Sequence, residues 1–241
     1  MSDYSHWLKH YEPTASGMFL KRTVEKLYLR LLRQALGEPT LAGKRLLEIG
    51  PGLGVFGRLA VGEGAAYTCV ERSPEIADRL EADEFRVLRG DFARDRDFLG
   101  GETFDIVYAS HVIEHCDTCQ EACRFVANAA ACLVPGGVLM LNAPNFLSHG
   151  KYFSLSDYSH NYVTTPLRLE RLTEDNGFAV LLTRETLLFF ERRPAVVLLK
   201  GLFRLVPAVL FDTMGKLMLE ADSGNCVVYG RSNFSVVAKK R

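Results

Sequence analysis

Leu46-Leu47-Glu48-Ile49-Gly50-Pro51-Gly52-Leu53-Gly54 is an apolar run that ends in an acid and then alternates glycine with other residues. Gly57 follows three residues later, at the start of a helical pattern. The stretch predicts a buried parallel strand, a sharp turn and a helix whose N-terminus opens toward a ligand. Glycine tolerates φ > 0 and lets a ligand press against the main chain. The turn therefore marks a small-molecule site at the carboxyl end of the first strand of an open α/β sheet.

Upstream, Leu20, Val24, Leu27, Leu31, Leu32 and Ala35 recur at helical spacing, and Gly37 and Pro39 stop that helix. Strands are expected over 44–49, 66–71, 85–89, 104–109 and 138–142, with helices over 54–64 and 121–133. Ser73-Pro74 opens a further helix, with Ser73 as N-cap and Pro74 in its first position. Pro135-Gly136-Gly137 reads as a turn. Alternation of strand and helix from 44 to 142 implies a doubly wound parallel sheet with helices on both faces. A polar, aromatic loop (144–165), a helix (166–176), a strand (178–184) and a closing strand (226–238) follow.

The chain has 241 residues, 48% apolar and 24% charged, which suits one globular domain. Lys plus Arg equals Asp plus Glu at 29 each, a balance that argues against a broad electrostatic footprint for nucleic acid and leaves room for a local patch. The polar N-terminus lacks a signal-peptide pattern, and the six cysteines fit reduced thiols in a cytoplasmic protein. Residues 194–219 are strongly apolar, but Lys200, Arg204 and Pro207 interrupt any span of about 20 apolar residues. A helical cap over the active site is the expectation there. A peripheral membrane contact is the alternative. Oligomeric state is not legible.

Two acids sharpen the site. Glu71 ends the second strand about twenty residues after the turn, where a carboxylate accepts hydrogen bonds from a ribose diol. Asp91, followed by Phe92, closes the third strand; the pair suits an adenine, one for its exocyclic amine and one for its face. The fourth strand runs through Ser110 into His111-Val112-Ile113-Glu114-His115.

With these residues the chain resembles the class I S-adenosylmethionine-dependent methyltransferases, small-molecule type. The resemblance spans about residues 40–185, with the motifs in the family's order: Glu48 to Gly54, Glu71, Asp91-Phe92, Phe104 to His115, and Leu133 to Gly137. It implies a seven-stranded, mostly parallel sheet with the last strand antiparallel, an N-terminal helix and a C-terminal helical cap insertion. It further implies one methyltransferase domain: an N-terminal lid and helix (1–40), a cofactor-binding core (41–185), an apolar insertion (190–222) and a closing strand (226–241). S-adenosyl-L-methionine is the implied cofactor, held by Glu48, Gly50, Gly52, Gly54, Glu71, Arg72, Asp91, Phe92, Ser110, His111 and, from the N-terminal segment, Tyr11. The implied reaction is methyl transfer to an oxygen or nitrogen of a small acceptor, apolar or linked to lipid or sugar. His111, His149 and His160 are the candidate bases, and Asn145, Tyr152, Tyr158 and Tyr162 the candidate acceptor-binding residues.

Sharper motifs were weighed against blander ones. His111-x-x-Glu114-His115 fits the pattern of inverted zinc proteases, but here it follows a strand rather than lying on a helix. Some relatives hold Mg²⁺ with a Glu-x-x-Glu-His cluster; His111 replaces one carboxylate and would favour a softer metal. The expectation is no metal, with Glu114 and His115 structuring the loop. Cys116, Cys119 and Cys123 share a helical face and read as packing residues. A non-catalytic cofactor-binding module and an NAD-dependent oxidoreductase are the alternative functions; the latter leaves Asp91-Phe92 and the Pro135 turn unexplained.

Overall fold

The computed structural model describes residues 15–155, 157–187, 190–191 and 232–241. Tyr11, residues 194–219 and the first part of the expected closing strand lie outside them. Helix α1 (Ala15–Leu36) buries Leu20, Leu27, Tyr28, Leu31 and Leu32, the stripe that its spacing predicts. It ends at Gly37, whose φ is +69°.

Strands β1 (Arg45–Ile49), β2 (Ala66–Glu71), β3 (Val87–Arg89), β4 (Phe104–Ser110) and β5 (Leu133–Pro144) run parallel. Helices α2 (Val55–Gly62), α3 (Pro74–Ala82) and α4 (Cys119–Cys132) lie between them in the chain. After β5 come two one-turn helices, α5 (Phe146–His149) and α6 (Tyr152–Leu155), then α7 (Pro166–Asp175). Strand β6 (Phe178–Leu187), the two-residue β7 (Phe190–Glu191) and β8 (Ser232–Lys240) complete the sheet. Its order is β3-β2-β1-β4-β5-β8-β6-β7, with β8 antiparallel to both β5 and β6. Seven strands thus stand in the expected arrangement, and β7 extends the edge.

Alternation along the central strands sorts side chains to two cores. Leu139, Leu141 and Ala143 of β5 join Phe234 and Val236 of β8, Phe125 of α4 and Phe178 on one face. Val138 and Met140 join Val237, Phe56, Tyr108 and the α1 leucines on the other. Phe56 and Tyr108 stack with ring centroids 3.6 Å apart at 10°.

One local expectation is corrected, and the expected Ser73 N-cap with Pro74 in the first turn is present. Pro135-Gly136-Gly137 is not a turn before the fifth strand but an irregularity inside β5: Phe104 pairs with Leu133, and the next registered pair is Ile106 with Val138. A Cβ on Gly137 would meet the carbonyl oxygens of Val134 at 2.9 Å and Asp105 at 3.2 Å, so the ladder closes only around glycine. Ser73 stands at the N-cap of α3 without a side-chain cap bond; its backbone N–H donates to Glu71 instead. Among the described residues no helix is long and apolar enough to cross a membrane.

Candidate functional site

Because β1 to β5 are parallel, their carboxyl ends share one edge. The neighbours of β1 are β2 and β4, so the chain's crossovers reverse direction there and open a crevice. The glycine turn lies at this point. Gly50, Gly52 and Gly54 all have positive φ, from +54° to +65°. The Gly50 N–H donates to Val70 at 2.9 Å, and a Cβ on Gly50 would come within 2.8 Å of Val112 Cγ2. The turn is thereby wedged between the ends of β2 and β4, with Gly50 and Gly52 half-buried and Pro51, Leu53 and Gly54 buried.

Glu71 ends β2 and is 6% exposed. Its Oε1 accepts the Ser73 N–H at 2.8 Å, and burial pushes its carboxyl above the usual range. Asp91 lies two residues past β3, on the same edge. Its Oδ1 accepts the Ala93 N–H at 3.1 Å, while Oδ2 lies 3.5 Å from Arg72 Nη1 and 3.5 Å from Arg94 Nε. The acids that the sequence singled out, with Arg72, therefore flank the glycine turn on one side of the molecule. Phe92 does not join them. Its ring is 2% exposed and meets Phe125 edge-on at 5.2 Å in the core, so its expected contact with an adenine is corrected.

Glu48 is also buried. The Tyr67 hydroxyl donates to its Oε2 at 2.6 Å, and burial pushes its carboxyl up to about 8. It anchors β1 to β2 beneath α2 and supports the turn from behind.

Ser110 ends β4, and His111 follows with φ +56°, a left-handed backbone that an L residue with a large side chain adopts only under constraint. The His111 N–H donates to Asn142 at 2.9 Å. Its ring is 41% exposed, with Nδ1 3.2 Å from Glu114 Oε1. Glu114 is fully buried. Burial alone would raise its carboxyl, yet the His111 hydrogen bond and the charges of His111, His115 and His160 hold it below the usual range.

The loop after β5 folds onto this turn. Tyr162 N–H donates to the Glu114 carbonyl at 3.0 Å, and Ser159 Oγ lies 2.9 Å from His115 Nδ1. These ties set His160 against His115, with ring centroids 4.9 Å apart. Burial lowers the His115 imidazole from its ordinary value. Bonds from Ser159 outweigh burial at Asp157 and keep that carboxylate low. Sequence reasoning passed over Asp157 and Ser159. The signal was an Asp-x-Ser spacing, which builds the turn in which Ser159 N–H donates to Asp157 Oδ1 at 2.8 Å.

The remaining candidates separate. His149 is buried, 2% exposed, at the end of α5. Tyr158 is 71% exposed and Tyr152 half-buried. Asn145 and Tyr162 are corrected from acceptor-lining to structural positions. Asn145 is buried, caps α5 through the Leu147 N–H at 3.1 Å and donates to Glu185 at 3.0 Å. Tyr162 is 3% exposed, packs in the core and carries the Arg168 guanidinium 4.3 Å from its ring centroid.

A family model described as a methyltransferase domain matches residues 20–183, more than half of the chain. The chain belongs to the class I S-adenosylmethionine-dependent methyltransferases. Solved structures of similar fold include a SAM-dependent methyltransferase from Archaeoglobus fulgidus, 21% identical over 90% of this chain and 94% of that one, with a TM-score of 0.60. A phosphoethanolamine N-methyltransferase from Haemonchus contortus is 16% identical over 90% of this chain and 52% of its own, at 0.61. Magnesium protoporphyrin IX methyltransferase from Synechocystis, with bound SAM, is 14% identical over 100% and 92%, at 0.59. No curated protein matches the chain. In this methyltransferase Gly50, Gly52, Gly54, Glu71, Arg72, Asp91, Ser110 and His111 stand at the carboxyl edge of the sheet, whereas Glu48 is buried within β1, Phe92 lies in the core, the Leu133 to Gly137 motif stands at the start of β5, and Tyr11 is outside the described residues.

Proposed function

We propose that this chain transfers a methyl group from S-adenosylmethionine to an oxygen or nitrogen of a small molecule. One observation supports the reading: the glycine turn, Glu71, Asp91 and His111 follow or end the neighbouring parallel strands β1, β2, β3 and β4, at the reversal of the sheet. Their donor set fits the cofactor, with the glycine main chain at the turn, Glu71 for a ribose diol and Asp91 for an adenine amine. When bound, the cofactor supplies an electrophilic methyl on a sulfonium. The chain's own contribution is to hold the acceptor in line with the sulfur–methyl bond and to take a proton from it. His111 suits the second task. Its Nδ1 faces Glu114 Oε1, which accepts a hydrogen bond from it, so the ring presents Nε2 to an acceptor. With the cofactor and acceptor bound, that nitrogen would take the acceptor proton as the methyl group is transferred.

Calorimetry with S-adenosylhomocysteine tests the reading. Wild-type protein should bind it, and Asp91→Ala should lose at least tenfold in affinity, since a charge-assisted hydrogen bond contributes about 1.5–3 kcal/mol. Absence of binding by the wild type, or thermal stabilisation by NADH in its place, would overturn it. Binding without turnover across a library of hydroxyl and amine acceptors would instead favour the cofactor-binding module.

A further inference from the structure

We infer that Glu114, His115 and His160 form a binding site for a divalent transition-metal ion of the zinc class. One ligand-type atom from each lies within 4.8 Å of the others. From the sequence no metal is expected here, because His111 replaces a carboxylate in the Glu-x-x-Glu-His pattern. The loop after β5 adds His160, and the hydrogen bonds around the rings change the chemistry.

The tautomers follow from the neighbours. His160 Nδ1 lies 2.7 Å from the carbonyl of Phe153, which accepts only, so Nδ1 carries the proton and Nε2 the lone pair. Ser159 donates its hydroxyl proton to Asp157 Oδ1 at 2.5 Å. Ser159 Oγ therefore offers a lone pair to His115, whose Nδ1–H donates to it and whose Nε2 carries the lone pair. Outer hydrogen bonds of this kind orient the histidines of metal sites. Glu114 is fully buried, and its Oε2 has no hydrogen-bond partner among the described residues. Two imidazole lone pairs and a buried carboxylate thus converge with no donor among them. Asp157 Oδ2 adds a further acceptor 3.9 Å from His160 Nε2. A cation at the centre would give the Glu114 oxygen that takes no hydrogen bond a partner inside the protein.

The donor set selects the ion. Two imidazoles and one carboxylate suit zinc and its neighbours, whereas Mg²⁺ prefers an all-oxygen shell with several waters. Three protein donors leave a position of a tetrahedral ion for water or an acceptor oxygen. Placement of that oxygen beside His111 is a consequence that rests on the methyl-transfer reading; the metal site itself does not.

The test uses the full chain, stripped with a chelator and dialysed against Zn²⁺, Co²⁺ or Mg²⁺, with metal per chain read by elemental analysis. Wild-type protein should hold one Zn²⁺ per chain more than His160→Ala and should not retain Mg²⁺. Co²⁺ should give visible d–d absorption without the thiolate charge-transfer band that cysteine ligation produces. Ser159→Ala should weaken affinity by roughly 10- to 100-fold, and loss of His160 or His115 by more. Glu114→Gln empties a buried site and can fail to fold, so the half-buried His160 carries the comparison. Stabilisation of the same samples by S-adenosylhomocysteine reports the fold and the cofactor reading independently. Equal zinc in wild type and His160→Ala, or retention of Mg²⁺ in its place, would overturn the proposal. Zinc-free wild type would do the same.

Discussion

Single residues at the sheet edge carry two kinds of constraint, steric and electrostatic. At Gly50 both the positive φ and the 2.8 Å approach of Val112 exclude a side chain. Gly50→Ala should cost about 1–3 kcal/mol in unfolding free energy and displace the turn, so that S-adenosylhomocysteine affinity falls together with melting temperature. Normal affinity in the variant would contradict this. Glu48 illustrates the electrostatic kind. Its carboxyl is raised from 4.5 to about 8 by burial, so the folded state holds the proton more tightly than the unfolded chain. Stability from that difference is complete below the unfolded value and is lost as pH rises through the folded one, falling by about 1.4 kcal/mol per pH unit between them. Glu48→Gln removes this dependence, so denaturant unfolding of the two proteins at about pH 5.5 and about pH 8 should show a shallower decline in the variant. Parallel declines would mean that Glu48 stays ionised. Glu71 and Glu25 shift in the same direction and are present in both proteins, and the charge of Glu25 is one of the groups that raise Glu48.

The elements that present these residues begin and end where caps and glycines dictate. The apolar pattern places the start of α4 near Glu121, but the helix begins at Cys119 because Thr118 caps it. The Thr118 hydroxyl accepts the Glu121 N–H at 3.1 Å, and Glu121 Oε2 accepts the Asp117 N–H at 2.6 Å. This is a variant of the capping box, readable in Thr118-x-x-Glu121. Thr118→Ala should cost about 1 kcal/mol, measured as a lower denaturation midpoint with unchanged m-value. An unaltered midpoint would show that Glu121, which also pairs with Arg94 at 3.2 Å, anchors the helix end without the cap. Strand β5 shows the opposite limit. Pro135-Gly136-Gly137 carries every local signal of a turn, yet the ladder with β4 continues past it, because pairing on both sides outweighs local preference.

Across the whole molecule, the last strand in the chain is a central strand of the sheet. Strand β8 lies between β5 and β6 and buries Phe234, Val236, Val237 and Ala238 completely. Its removal exposes both cores at once and leaves β5 with an unpaired edge. A chain lacking residues 232–241 should therefore lose cooperative thermal unfolding, followed by near-ultraviolet circular dichroism and calorimetry. A sharp transition in that variant would show that β1 to β5 and their helices fold alone. Strand β8 runs antiparallel to β5 and fills the sheet beyond it, on the side away from the glycine turn.

Much of the cofactor edge was legible because its constraints are local. Positive φ demands glycine, a strand ending in an acid aims that acid at the edge, and period-two alternation marks the buried strands. Phe92, Asn145 and Tyr162 were misassigned because one sequence position shows a side chain's chemistry but not the direction in which it points. All three are buried among core or loop contacts that only packing specifies. The meeting of His115 with His160 belongs wholly to tertiary structure. Ser159 and Tyr162 dock the loop after β5 onto the turn after β4, and chain segments so far apart are brought together by contacts that neither segment encodes alone.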